Sequence, residues 1–295
     1  MTDAVDALRG ARTVDSALAA GSAVLSSSGV PTPDVDAELL LAHVLDLGRG
    51  VLRARAVTRS ALADDAVAAF AAAIARRAAR EPLQHITGTA AFRSMQLHVG
   101  PGVFVPRPET EGVAQLAIDA LRAAPGERPV AVDLGTGSGA IALAMATEVP
   151  RSSVVAVELS PDAAVWTRRN VDAVGAGNVR LVEGGLADAL PELDGTVSVV
   201  ASNPPYIPVG MVPRDPEVRL HDPALALYGG ADGLDVVRDL SMTALRLLRP
   251  GGVLVIEHGE EQGGAIRDLL DADGWRSTAT HPDLTGRDRA TTAVR

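Results

Sequence analysis

The chain has 295 residues, 47% hydrophobic and 22% charged, with a formal net charge of −10, arginine as its only basic side chain and no cysteine. That length allows one large domain or a small one joined to a medium one, and the missing cysteines exclude disulfides and thiolate metal sites. The acidic balance argues against nucleic acid as the main partner, since phosphate binders usually carry a basic face. The histidines lie without a close pair, so no metal is expected. No apolar run approaches the roughly 20 residues of a membrane span and no leader pattern opens the chain, so a cytoplasmic location is expected.

Helical spacing comes first. Val14, Leu18 and Leu25 precede a Ser26 to Gly29 stop, Thr32-Pro33 opens a second helix with Val35, Leu39, Leu40 and Val44, and a third is expected from Ser60 through Val67, Phe70 and Ile74 to Arg80. This predicts a small α-helical domain over residues 1–84 with no chemistry of its own. Alternation then takes over, with Phe92, Met95, Leu97 and Val99 before Gly100-Pro101-Gly102, predicting a hairpin or extended connector over 85–108. The run "VFVPRPETE" leads into a helix bearing Val113, Leu116, Ile118 and Leu121.

From there strands and helices alternate over 109–295. Strands are expected at Val130–Leu134, Val154–Glu158, Val179–Glu183, Val197–Ser202 and Val253–Glu257, with a late pair near Thr278 and Thr291–Val294. Helices are expected at Ile141–Glu148, Pro161–Val174, Leu234–Leu248 and Glu260–Ala272. The alternation implies an α/β fold, a mostly parallel sheet covered on both faces.

"VAVDLGTGSGAIALA" sets Gly135, Thr136, Gly137, Ser138 and Gly139 between a strand and a helix, where glycines permit a sharp turn and let a ligand approach the main chain. Glu158 follows about 20 residues later, suitably placed for ribose hydroxyls. A nicotinamide cofactor and S-adenosylmethionine both fit this pattern. Asp133, the acidic start of the loop, suits the cationic sulfonium better.

"VVASNPPYIP" ends another strand in a rigid corner, because consecutive prolines hold φ near −65° and donate no backbone hydrogen bond. Ligands of open α/β sheets sit beyond the carboxyl ends of the strands, so the corner and the glycine loop should share one crevice. There, the Asn203 side-chain oxygen and the Pro204 carbonyl could each accept an N–H of a planar amino group, with Tyr206 walling it by stacking. A glutamine amide and the exocyclic amine of adenine meet that description equally.

The motifs "VPRPETE", "VDLGTGSGAIALA", "VVASNPPYIP" and "GGVLVIEHGEEQG", in this order behind a helical N-terminal domain, resemble the bacterial release factor glutamine methyltransferases, PrmC or HemK. The connector "EPLQHITGTAAFRSMQLHV" and the tail "DLTGRDRATTAVR" extend the resemblance over nearly the whole chain. It implies a class I, Rossmann-like methyltransferase fold with a seven-stranded, mostly parallel sheet whose last strand is antiparallel. It also implies S-adenosylmethionine as donor, S-adenosylhomocysteine as product, and methylation of the glutamine side-chain nitrogen in the GGQ motif of peptide chain release factors.

By position, the resemblance assigns Gly135 to Gly139 to the methionine end of the cofactor and Glu158 to the ribose. Asn203, Pro204, Pro205 and Tyr206 would hold the glutamine, with Asn203 also near the cofactor and Phe104 and Arg107 at the entrance. Where the family often has an acid meeting the adenine amine, this chain has Gly185; Leu186 could pack on the ring, and Glu183 or Asp188 could replace the acid. The helical domain would grip the protein partner, nucleic acid is not expected as direct substrate, and a monomer is expected. Two alternatives stay open: an adenine N6-methyltransferase of DNA or RNA, and a cofactor-binding adaptor without turnover. Glu109 and Glu111 fit a helix start as well as a binding role; His258, Trp166 and Trp275 read as structural.

Overall fold

A computed structural model describes residues 2–187 and 189–295, which form two compact units. The first comprises residues up to Gly88 together with Arg214–His221. Its helices are α1 (Thr2–Arg9), α2 (Val14–Ser27), α3 (Pro33–Val44), α4 (Arg49–Val57), α5 (Asp64–Ala78) and α6 (Leu83–Thr87). Leu25, Leu40, Leu41, Leu52, Phe70 and Ile74 fill its core.

The helix expected from Ser60, α5, begins later than its periodicity suggests. Asp64 and Asp65 supply the acidic first turn, while Ala61 bridges Thr13 and the Ser60 carbonyl accepts from Val14 N. Three helices, α1, α4 and the short α6 at the expected start of the connector, escape the sequence pattern. Helix α4, "RGVLRARAV", buries only Leu52, too little apolar periodicity to announce a helix.

The second unit opens with a hairpin, β1 (Thr89–Phe92) and β2 (Met95–His98), followed by α7 (Thr110–Ala123). Then come β3 (Val130–Leu134), α8 (Ala140–Glu148), β4 (Ser153–Glu158), α9 (Pro161–Val174), β5 (Val179–Glu183) and β6 (Val197–Ser202). The short α10 (Pro216–His221) belongs to the helical unit. There Arg77 lies between Asp36 (2.7 Å) and Glu217 (2.6 Å), with Arg80 also 2.6 Å from Glu217. The second unit resumes with α11 (Ala224–Leu227), α12 (Asp235–Leu247), β7 (Leu248–Glu257), α13 (Gly263–Ala272), β8 (Arg276–Pro282) and β9 (Asp288–Val294).

The seven-stranded sheet runs β5-β4-β3-β6-β7-β9-β8, with β9, the last strand of the chain, antiparallel to both neighbours. Residues alternate between two cores, as a pleat requires. Ala131, Val199, Ala201 and Val255 join one core with α7 and α8; Val132, Leu134, Val200 and Ile256 join the other with α12 and α13. Both faces are therefore covered, the condition under which parallel strands are stable. No helix among the described residues is long and apolar enough to cross a membrane.

Candidate active site

The strand order reverses direction between β3 and β6. From β3 the chain builds outward through β4 and β5, then returns to lay β6 on the other side of β3. Asp133 pairs in register with Ala201, and Ser202 Oγ donates to the Leu134 carbonyl at 2.6 Å. The glycine loop and the Asn203 corner thus leave adjacent strands at the same sheet edge, at the switch point where α/β sheets hold ligands.

The loop is held by β4 and α9. Gly135 N and Thr136 N both donate to the Val157 carbonyl at 2.9 Å. From α9, Thr167 Oγ1 donates to the Gly137 carbonyl (2.6 Å) and Asn170 Nδ2 to the Ser138 carbonyl (2.9 Å), and both side chains are fully buried. Gly137 has φ +58 and a Cβ there would meet nothing within 4 Å, so open space faces the main chain. Thr167 and Asn170 were not anticipated, because their work is hydrogen bonding to a distant backbone and leaves no periodic trace.

Glu158 lies at the carboxyl end of β4, 7% exposed. Its Oε2 accepts from Gly137 N at 2.7 Å and its Oε1 from Ser160 N at 2.8 Å. Each carboxylate oxygen has a second lone pair, so both can still accept a ribose hydroxyl. Asp133 is buried, with Oδ2 accepting from Thr136 Oγ1 (2.5 Å) and Ala142 N (3.0 Å) while Oδ1 has no partner. An orphaned acidic oxygen beside an open glycine loop fits a ligand carrying positive charge. The donor set therefore suits S-adenosylmethionine: acceptors for hydroxyls and a buried acid.

Burial pushes the Asp133 carboxyl up to about 7, against the pull of Thr136 and Ala142 N–H, and Glu158 adds to the rise. A folded-state pKa above the unfolded one means that this group contributes most stability at low pH and loses it as the pH rises toward 7. Asp133→Asn cannot titrate there. In thermal and denaturant unfolding of the cofactor-free protein, the variant should gain about 2 kcal/mol on the wild type between pH 5 and pH 7. A constant difference across that range would show that Asp133 does not carry this proton.

At the corner, Pro204 is buried while Asn203, Pro205 and Tyr206 are half-buried. Burial, reinforced by the Glu257 charge, pushes the Tyr206 hydroxyl up to about 12, so the ring stays neutral. Gln262 Nε2 donates to the Tyr206 carbonyl at 3.0 Å. Gly233, at φ +79, passes so close beneath that a Cβ would sit 2.3 Å from the same carbonyl. Arg107 stacks 4.9 Å over the Phe104 ring and pairs with Asp222 at 2.9 Å, so these two connector side chains form one braced unit.

The remaining candidates separate by partner. Glu111 accepts from Arg93 N at 2.9 Å and serves the hairpin. Glu183 pairs with Arg168 on the surface at 2.6 Å, whereas Leu186 is half-buried with its carbonyl receiving Thr243 Oγ1. Asp188 lies outside the described residues. His258 is fully buried between Thr291 and the Gly259 carbonyl, and Trp166 and Trp275 are hydrogen-bonded packing residues. Glu257, in contrast, was not singled out by the sequence and stands beside Asn203.

Fold and site together define an S-adenosylmethionine-dependent methyltransferase. Family models agree: the PrmC N-terminal domain matches residues 16–88 and the methyltransferase small domain matches 94–212. The release factor glutamine methyltransferase of Streptomyces coelicolor is 53% identical over 91% of this chain and 93% of its own length. That of Bifidobacterium longum is 47% identical over 92% and 96%. The 4-amino-L-phenylalanine/4-methylamino-L-phenylalanine methyltransferase of Streptomyces pristinaespiralis is 41% identical over 97% and 96%. Among solved structures, the hMettl16 catalytic domain aligns with TM-score 0.56 at 14% identity, covering 75% of this chain and 81% of that one, a likeness of fold alone. The chain belongs to the release factor glutamine methyltransferase family.

Proposed function

We infer that this protein methylates the side-chain amide nitrogen of the glutamine in the GGQ motif of peptide chain release factors. The observation that carries the reading is that identity to enzymes of that name spans both the helical unit and the methyltransferase unit. Action on release factors would make it a cytoplasmic enzyme, working as a monomer with its helical unit against the protein substrate.

When bound, S-adenosylmethionine supplies an electrophilic methyl group and leaves as S-adenosylhomocysteine. In this reading Gly135 to Gly139 hold its methionine end, Glu158 its ribose and Leu186 a face of its adenine. The Asn203 Oδ1 and the Pro204 carbonyl accept the two N–H groups of the substrate amide, which fixes the nitrogen in line for transfer and makes its lone pair more available. Pro205 keeps the corner rigid and Tyr206 covers the flat amide by stacking. The new N–C bond acidifies the nitrogen, which releases a proton to water. No strong base is required. This division of labour is supported by the corner leaving the strand next to the glycine loop.

The relative named for a small aromatic amine makes substrate choice the question to test. Purified protein with labelled S-adenosylmethionine should transfer methyl to a release factor and leave duplex DNA and 4-amino-L-phenylalanine unlabelled. Transfer to either of those alone would reassign the substrate.

A further inference from the structure

Glu257 ends β7 beside the strand that carries the corner, since Ser202 pairs with Ile256. It is 1% exposed, and its Oε2 is buried without a partner. An ionised carboxyl placed so deeply, in a run of otherwise apolar strand residues, costs several kcal/mol unless it is paired and hydrogen-bonded. The groups around it come from three directions. Glu109 and Thr110 stand at the start of α7, Arg289 on β9, and Asn203 and Tyr206 at the corner. Thr110 lies close enough to favour the charged carboxylate, although its Oγ1 makes no well-formed hydrogen bond. Asn203, the residue after Ser202, also lies close enough to favour the charged carboxylate, although the two side chains make no well-formed hydrogen bond in this structure. Arg289 is held elsewhere, beside Asp283 and the His258 carbonyl.

An asparagine amide has one acceptor oxygen and a donor NH₂, while an ionised carboxylate only accepts. A hydrogen bond between Asn203 and an ionised Glu257 can therefore use only Asn203 Nδ2–H. We propose that Glu257 is the positioning residue of the site: its ionised carboxylate takes Nδ2–H of Asn203 and so commits Oδ1 to the substrate nitrogen. A protonated Glu257 could instead donate to Oδ1, turning the amide over and removing the acceptor that the substrate needs. The proposal rests on the role given above to Asn203, but it concerns a different residue and a different observable.

The same geometry makes the site sensitive to pH. Burial pushes the Glu257 carboxyl up to about 7; Thr110, Arg289 and Asn203 oppose the rise and Glu109 adds to it. The competent, ionised form is present above that pH and lost below it, so kcat should fall on its acid side.

Three measurements test this. Glu257→Ala should lower kcat about 10- to 100-fold with little change in cofactor affinity, as expected for a misoriented reacting group. Glu257→Gln is neutral and, like the protonated acid, can donate to Oδ1, so its kcat should stay near the low value the wild type reaches on its acid side and show no acid limb. In ¹⁵N-labelled protein, the Asn203 side-chain amide signal, assigned by its loss in Asn203→Ala, should titrate near pH 7 in the wild type and stay fixed in Glu257→Gln. An acid limb that persists in Glu257→Gln, or an Asn203 signal that titrates identically in both, overturns the proposal even if Glu257→Ala does not fold. The spectroscopic measurement needs no turnover, so a wild type inactive on release factors would remove the substrate reading and leave this one standing on its own result.

Discussion

Asn203→Ala is expected to lower kcat by about 100- to 1,000-fold, the usual cost of deleting one preorganised polar contact to a reacting group. The substrate nitrogen would keep only the Pro204 carbonyl, and one acceptor cannot fix a planar group against rotation. Stability should change little, because Asn203 is half-buried and closes no core. Cofactor affinity should move by no more than a few-fold, since Asn203 would meet the ligand only at its reacting end. Single-turnover kinetics beside calorimetric titration separate these quantities. A variant with near wild-type kcat would remove Asn203 from the reaction.

Glu158→Ala should act on the opposite quantity, weakening S-adenosylmethionine binding about 100-fold or more. Two hydrogen bonds between ribose hydroxyls and a charged carboxylate are worth about 3 kcal/mol together at the low end. The loss goes further, because the Gly137 and Ser160 N–H groups now bound to Glu158 would be left without their acceptor. The glycine loop would then lose the anchor that joins it to β4. Glu158→Gln retains one side-chain acceptor and should fall between alanine and wild type in a titration with S-adenosylhomocysteine. Equal affinities for all three proteins would show that the ribose is held elsewhere.

Most of the sheet was legible because its strands announce themselves locally. Val130–Leu134, Val179–Glu183 and Val197–Ser202 are apolar or β-branched runs bounded by turn residues, and they form strands with those bounds. That both motifs face the same end of the sheet followed from the parallel order, and the pairing of β3 with β6 sets them side by side. What stayed hidden depends on distant partners. Helix α10 carries Glu217 to Arg77 and Arg80, an arrangement joining residues well over a hundred positions apart that no local period encodes. Glu257 left one trace, an acid closing the run "VLVIE", but its meaning needed the register that sets β7 beside β6. Thr167 and Asn170 look like ordinary polar positions on α9 until the loop they brace is in view.

The Asn203 corner is proposed to present a glutamine amide for methylation. Mass spectrometry of a release factor, after incubation with this protein and S-adenosylmethionine, tests it most directly. One added methyl is expected on the GGQ glutamine side chain, absent when Asn203→Ala replaces the wild type. An unmodified glutamine under conditions where the wild type binds cofactor would contradict it.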